Sequence, residues 1–97
     1  MKSTGIELIR IEREEQIEKH GISLNQDVIF NKECQLSIAA GHLIYGTPYA
    51  PDNWDETIWN KMINKSYEDR LVIAGALIAA EIDRMLYINS LKNNIEY

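Results

Sequence analysis

Apolar positions recur along this chain at helical spacing, and no stretch sustains the period-two alternation of a strand. In "STGIELIRIEREEQIEKHG", Ile6, Ile9, Arg13, Gln16, Ile17 and His20 fall on one helical stripe. Ser3 or Thr4 can cap that helix, Glu7 follows Thr4 at capping-box spacing, and Gly21 can end it. A second helix is expected in "NQDVIFNKECQLSIAAGHLIYG", regular over about residues 28–45 with Gly46 as its stop. Gly41 inside it costs about 1 kcal/mol against alanine or admits a close helix contact. "TPYAPDN" reads as a loop, because Pro48 and Pro51 break the pattern, and Asp52 or Asn53 can cap the short helix "WDETIWNKMINK". Ser66 opens a long last helix, with Glu68 and Asp69 in a first turn where the helix dipole favours acids. Residues 93–97 are expected to fray. The pattern therefore predicts one all-α domain over residues 1–97, a small bundle of about four helices.

The last helix departs from ordinary amphipathic design. Ten consecutive residues, Leu71 to Ala80, carry no charge and no side-chain hydrogen-bonding group, and Glu81, Asp83 and Arg84 then arrive together. A surface helix needs a polar face, and this segment has none until its last turns. Ala74, Gly75, Ala76, Ala79 and Ala80 are small enough for other helices to approach on several sides. Three further helices in so short a chain can barely surround it. Part of its apolar surface is therefore expected to be buried against another copy, which makes the protein at least a dimer, with the charged end near Arg13 or a symmetry mate.

Composition narrows the class. With 97 residues, 45% hydrophobic and 26% charged, the chain has room for one modest core and is not of the disordered type. Its net charge of −5 opposes binding to nucleic-acid polymers, although a local basic pocket for one small anion is compatible with it. Cys34 is the only cysteine, so neither an internal disulfide nor a cysteine-based zinc site can form. The charges that follow Ile11 do not fit a signal peptide, and the longest apolar run is about half a membrane span. A cytoplasmic protein without membrane contact is expected.

Several polar residues interrupt the apolar stripes. Arg13 lies on the apolar face of the first helix. It can pair with Glu81 or Asp83, bind an anion through its planar fork, or hold a carboxylate with one edge and a ligand with the other. Gln16 shares that face. Gln35 opens the apolar face of the second helix, where an amide can anchor the fold or read a nucleobase edge. Trp54 and Trp59, preceded by Tyr45 and Tyr49, form either the lid of a small core or a stacking surface for a base. Lys61, Lys65 and Arg70 follow, and Arg84 ends the apolar run. His42 has no metal-ligand partner at suitable spacing and reads as a surface or interface residue.

Motifs for nucleophilic catalysis, phosphate loops and dinucleotide binding are absent. All-helical nucleotide pyrophosphohydrolases of the MazG type hold magnesium with E-x-x-E on one helix and E-x-x-D on another. Glu12 and Glu15 supply the first half, but Glu81 and Asp83 are spaced as E-x-D and point about 200° apart on a helix. No metal and no cofactor is therefore expected. A Mg-dependent hydrolase using Glu12, Glu15, Glu81 and Asp83 stands as an alternative, as does a small interaction protein that blocks a host protein.

Two longer motifs point elsewhere. Residues 9–21 read I-x-x-E-R-x-x-Q-I-x-x-x-G, residues 70–84 read R-L-x-x-A-G-A-L-I-x-A-E-I-D-R, and Trp54 and Trp59 form W-x-x-x-x-W between them. In these motifs the chain resembles a group of small bacteriophage and prophage proteins over most of its length. The middle departs: "ISLNQDVIFNKE" stands where the group often has an aromatic residue and then a His- and Asp-rich stretch, so no role for such histidines carries over. Small helical phage proteins include oligomeric sponges that bind nucleotide signals of bacterial immunity. The resemblance implies that this chain sequesters an ADP-ribose-derived signal or a cyclic dinucleotide in the host cytoplasm without cleaving it. Arg13, Lys65, Arg70 and Arg84 are then the phosphate candidates, Trp54 and Trp59 the stacking candidates, and Gln16 and Gln35 the polar readers.

Overall fold

A computed structural model of the chain describes residues 4–20 and 34–95, apart from the side chains of residues 19, 20 and 93–95. The fold is all-α. Among the described residues four helices follow one another: α1 (Gly5–His20), α2 (Gln35–Tyr45), α3 (Glu56–Ile63) and α4 (Tyr67–Ile95). The expected start of the second helix, residues 28–33, lies outside the described residues, as do Ser3, Gly21 and the last two residues of the tail.

Local chemistry sets the ends. The Glu7 amide donates to Thr4 Oγ1 at 3.3 Å, and the Asp69 amide donates to Ser66 Oγ at 3.2 Å, so both expected caps form. Gly46 ends α2 in the left-handed region, φ 74°, and its amide donates to the His42 carbonyl. The cap of α3 differs from the expectation. Asn53 takes φ 70° inside the turn and Trp54 N donates to the Pro51 carbonyl, which carries the chain one step further before the helix starts. Asp55, with extended backbone, becomes the cap, and its Oδ1 accepts from the Ile58 amide at 2.9 Å.

The core lies between α2, α3 and α4. Leu36, Ala39, Ala40, Leu43, Trp59, Ile73, Ala74, Leu77 and Ala80 form one buried cluster, with Ile44, Trp54, Met62 and Ile63 packed at its margin. Ser37 bonds Glu81 and the Leu43 carbonyl bonds Arg70, so α2 and α4 run antiparallel. On another side α4 receives α1. Ile9 packs on Gly75 and Arg13 reaches Asp83, so contacts advance in the same sense along both helices.

The stripe expected on α1 is only partly used. Ile9, Arg13 and Gln16 turn toward the bundle, whereas Ile6 and Ile17 are exposed. The two glycines inside helices also differ. A Cβ at Gly41 would meet no neighbouring atom, so no close crossing occurs there. At Gly75 a Cβ would lie 2.6 Å from Ile9 Cδ1 and 2.9 Å from Ile9 Cγ1. Gly75→Leu is therefore expected to push α1 off α4 and lower stability by about 1–3 kcal/mol, with Gly75→Ala milder because the end of Ile9 can rotate. Urea unfolding checks this, and a wild-type midpoint for Gly75→Leu would remove the crossing from the account.

Candidate functional site

The polar residues that interrupt the stripes gather where α1 and α4 meet. Asp83 sits on the α1 side of α4, and its Oδ2 is 3.8 Å from Nη2 of Arg13, whose side chain is only 11% exposed. One turn further along α1, Gln16 is buried, and its Nε2 lies 3.5 Å from Glu12 Oε1. The Gln16 Oε1 is also buried and, among the described residues, accepts no hydrogen bond. Such an acceptor is costly to leave unpaired, and any donor entering the site would find it ready.

Arg84, the neighbour of Asp83, turns to the core side. It is 5% exposed, and its Nε donates to Oε1 of Glu81, one turn back on α4. The other Glu81 oxygen accepts from Ser37 Oγ at 3.2 Å, which ties the ion pair to α2. Arg84 Nη2 lies 3.5 Å from Met85 Sδ, a weak acceptor. Among the described residues no hydrogen bond engages Arg84 Nη1. The guanidinium is thus fixed along one edge by a carboxylate, with donor capacity left on the far nitrogens. Planar arginine forks in this state suit phosphate or carboxylate oxygens.

The remaining candidates stand elsewhere. Arg70 is 14 residues from Arg84 on the same helix, about 21 Å along its axis, so the two do not share one site. Its Nη1 donates to the Leu43 carbonyl at 2.7 Å, closing the C-terminal end of α2, and its guanidinium lies 5.6 Å from the Tyr67 ring centroid. Lys65 is exposed at the turn before α4. Trp59 is 1% exposed; its Nε1–H donates to the Pro48 carbonyl at 2.7 Å, and its ring meets Trp54 and His42 edge-on at 6.2 and 6.3 Å. Trp59 is thus enclosed by packing, and Trp54, half-buried, is the accessible aromatic of the pair.

Gln35 is buried at the start of α2 and lines a groove of about 220 Å³ with Ile38, His42, Ala50, Pro51 and Asp52. His42 is more structural than its spacing indicated. Its Nδ1 is 2.6 Å from the Tyr49 carbonyl, which can only accept, so Nδ1 carries the proton. That bond holds the loop after α2 against the helix, a return of the chain that local spacing does not reveal. Ser37 was likewise not singled out, since its role depends on which helix lies opposite.

The four acids of the hydrolase alternative are engaged within the chain: Glu12 with Gln16, Glu81 with Arg84 and Ser37, Asp83 with Arg13, and Glu15 in a further interaction. Among the described residues no group of three or more His, Cys, Asp or Glu side chains is placed to hold a metal ion. None of the described helices is long and apolar enough to cross a membrane. Comparison with protein-family models, with curated proteins and with solved structures gives no match.

Proposed function

We propose that this is a phage-type binding protein that sequesters a small nucleotide-derived anion, an ADP-ribose derivative or a cyclic dinucleotide of bacterial immune signalling, in the host cytoplasm and without cleaving it. The observation behind this reading is the state of Arg84: a buried guanidinium, oriented by Glu81 along one edge, with Nη1 left unengaged. Arg13 lies beside the adjacent position of the same helix, braced by Asp83, and Gln16 adds a buried carbonyl oxygen without a donor. A phosphate held between the two arginines would accept charge-assisted bonds, while the carboxylates keep both forks in place. The motifs shared with phage proteins, which include Arg13, Gln16 and Arg84, agree with this assignment.

The test is ligand depletion. Purified protein is incubated with a panel of cyclic dinucleotides and ADP-ribose derivatives, the free ligand is measured, and the bound fraction is recovered by heating. Intact ligand returned on denaturation supports sequestration, whereas magnesium-dependent loss of the ligand supports the hydrolase. A panel left wholly in solution, with a host protein co-purifying, favours the interaction protein. Arg13→Lys keeps the charge and removes the fork, so binding should weaken roughly ten- to a hundredfold in a protein that still folds. Wild-type affinity in folded Arg13→Lys would take Arg13 out of the site.

A further inference from the structure

The outer face of α4 is exposed. Leu71, Ile78, Ile82 and Met85 are 38, 44, 54 and 44% exposed. They lie on the side of the helix away from Ile73, Leu77 and Arg84, which face the core. They recur at spacings of seven, four and three, positions of a coiled-coil seam whose one remaining place, Gly75, is covered by α1. The same repeat continues to Glu68 at one end and to Asn89 and Lys92 at the other.

We infer that α4 pairs with α4 of a second copy as an antiparallel two-stranded coil, with the twofold axis level with the midpoint between Ile78 and Ile82. The numbering decides the direction. In that register Ile78 faces Ile82 of the partner subunit, and the twofold repeats this contact to form the centre. The remaining seam position, Gly75, is covered by Ile9 of α1 and adds no contact to the seam. Leu71 faces Asn89 of the partner subunit, and polar residues at seam positions help to fix register. Glu68 faces Lys92 of the partner subunit, so an ion pair closes each end. A parallel pair would instead set Glu68 against Glu68 and Lys92 against Lys92 of the partner subunit. The stripe is therefore complementary to itself in one sense only, which makes a second copy, rather than an unrelated helix, its occupant. This pairing stands on α4 alone and holds whether or not a nucleotide is bound.

Sedimentation equilibrium of the full chain at micromolar concentration tests it, at low salt where charge contacts are least screened. Wild type is expected at twice its 11.2 kDa chain mass. Ile82→Asp places a carboxylate at the centre of the seam and should give a monomer, with helix content by circular dichroism unchanged because Ile82 is exposed in the single chain. Lys92→Glu should weaken self-association roughly tenfold, since both end contacts change from attraction to repulsion. Adding Glu68→Lys to the same chain should restore it. A monomeric wild type, a dimer indifferent to Ile82→Asp, or a charge swap that fails to restore association would each overturn the antiparallel seam.

Discussion

Trp59→Ala is expected to remove a large share of the protein's stability. Trp59 is the largest of the fully buried side chains and touches Trp54 and His42 edge-on. Removing such a ring typically costs about 3–5 kcal/mol, through lost burial and the cavity left behind. The Pro48 carbonyl also loses the indole N–H that satisfies it. A domain of this size has about 5–15 kcal/mol of stability in total, so one substitution consumes much of it. Trp59→Phe separates the two contributions: it keeps most of the ring and loses only the hydrogen bond, and should cost about 1–3 kcal/mol. Urea unfolding followed by circular dichroism measures both. A midpoint for Trp59→Ala within error of wild type would mean that the ring is not in the core.

Breaking the Glu81–Arg84 pair from one side should be almost as damaging. The Arg84 side chain is 6% exposed and that of Glu81 15%, and Ser37 is the third member. Glu81→Ala strands a buried guanidinium beside a thioether. Losing one partner of a buried pair typically costs about 3–5 kcal/mol, mostly as the penalty on the charge left behind. Replacing both, as Glu81→Met with Arg84→Met, removes that penalty and should recover most of the loss. A double-mutant cycle in urea tests this: two single variants each as stable as wild type would show that water reaches the pair. The double variant also serves the ligand question, because it would be a folded protein without the Arg84 fork.

Local signals disclosed more of this fold than tertiary ones. Thr4, Gly46 and Ser66 mark helix ends through bonds to amides and carbonyls a few residues away, and such chemistry can be read along the chain. Asp55 was missed because four polar or turn-forming residues compete there, and the choice rests on the left-handed turn at Asn53. The α1 stripe was over-read. Period alone showed that Ile6 and Ile17 share a face with Ile9, but not that the face is wider than the contact α4 offers. At the α1–α4 junction, spacing and charge sufficed to bring Arg13 toward Asp83 and to set Arg84 one turn from Glu81. Lys65, Arg70 and Trp54 looked like one cationic, aromatic cluster with these only because a sequence has no scale. Fourteen residues of rigid helix separate Arg70 from Arg84.

The membership of the core has a consequence for motion. Among the described residues, every member of the buried cluster belongs to α2, α3 or α4, and α1 supplies none. Its contacts with α4 include Ile9 seated on Gly75 and the Arg13–Asp83 pair at 3.8 Å, and Glu12 and Glu15 are engaged as well. Were this helix to open locally, the hydrophobic centre would stay closed, and such opening would be a smaller event than unfolding. Arg13 and Gln16 would travel with that helix, whereas Glu81 and Arg84 would stay fixed to the globule. In such an opening the two halves of the proposed site would part, and a solute would enter between them without disturbing the rest of the molecule.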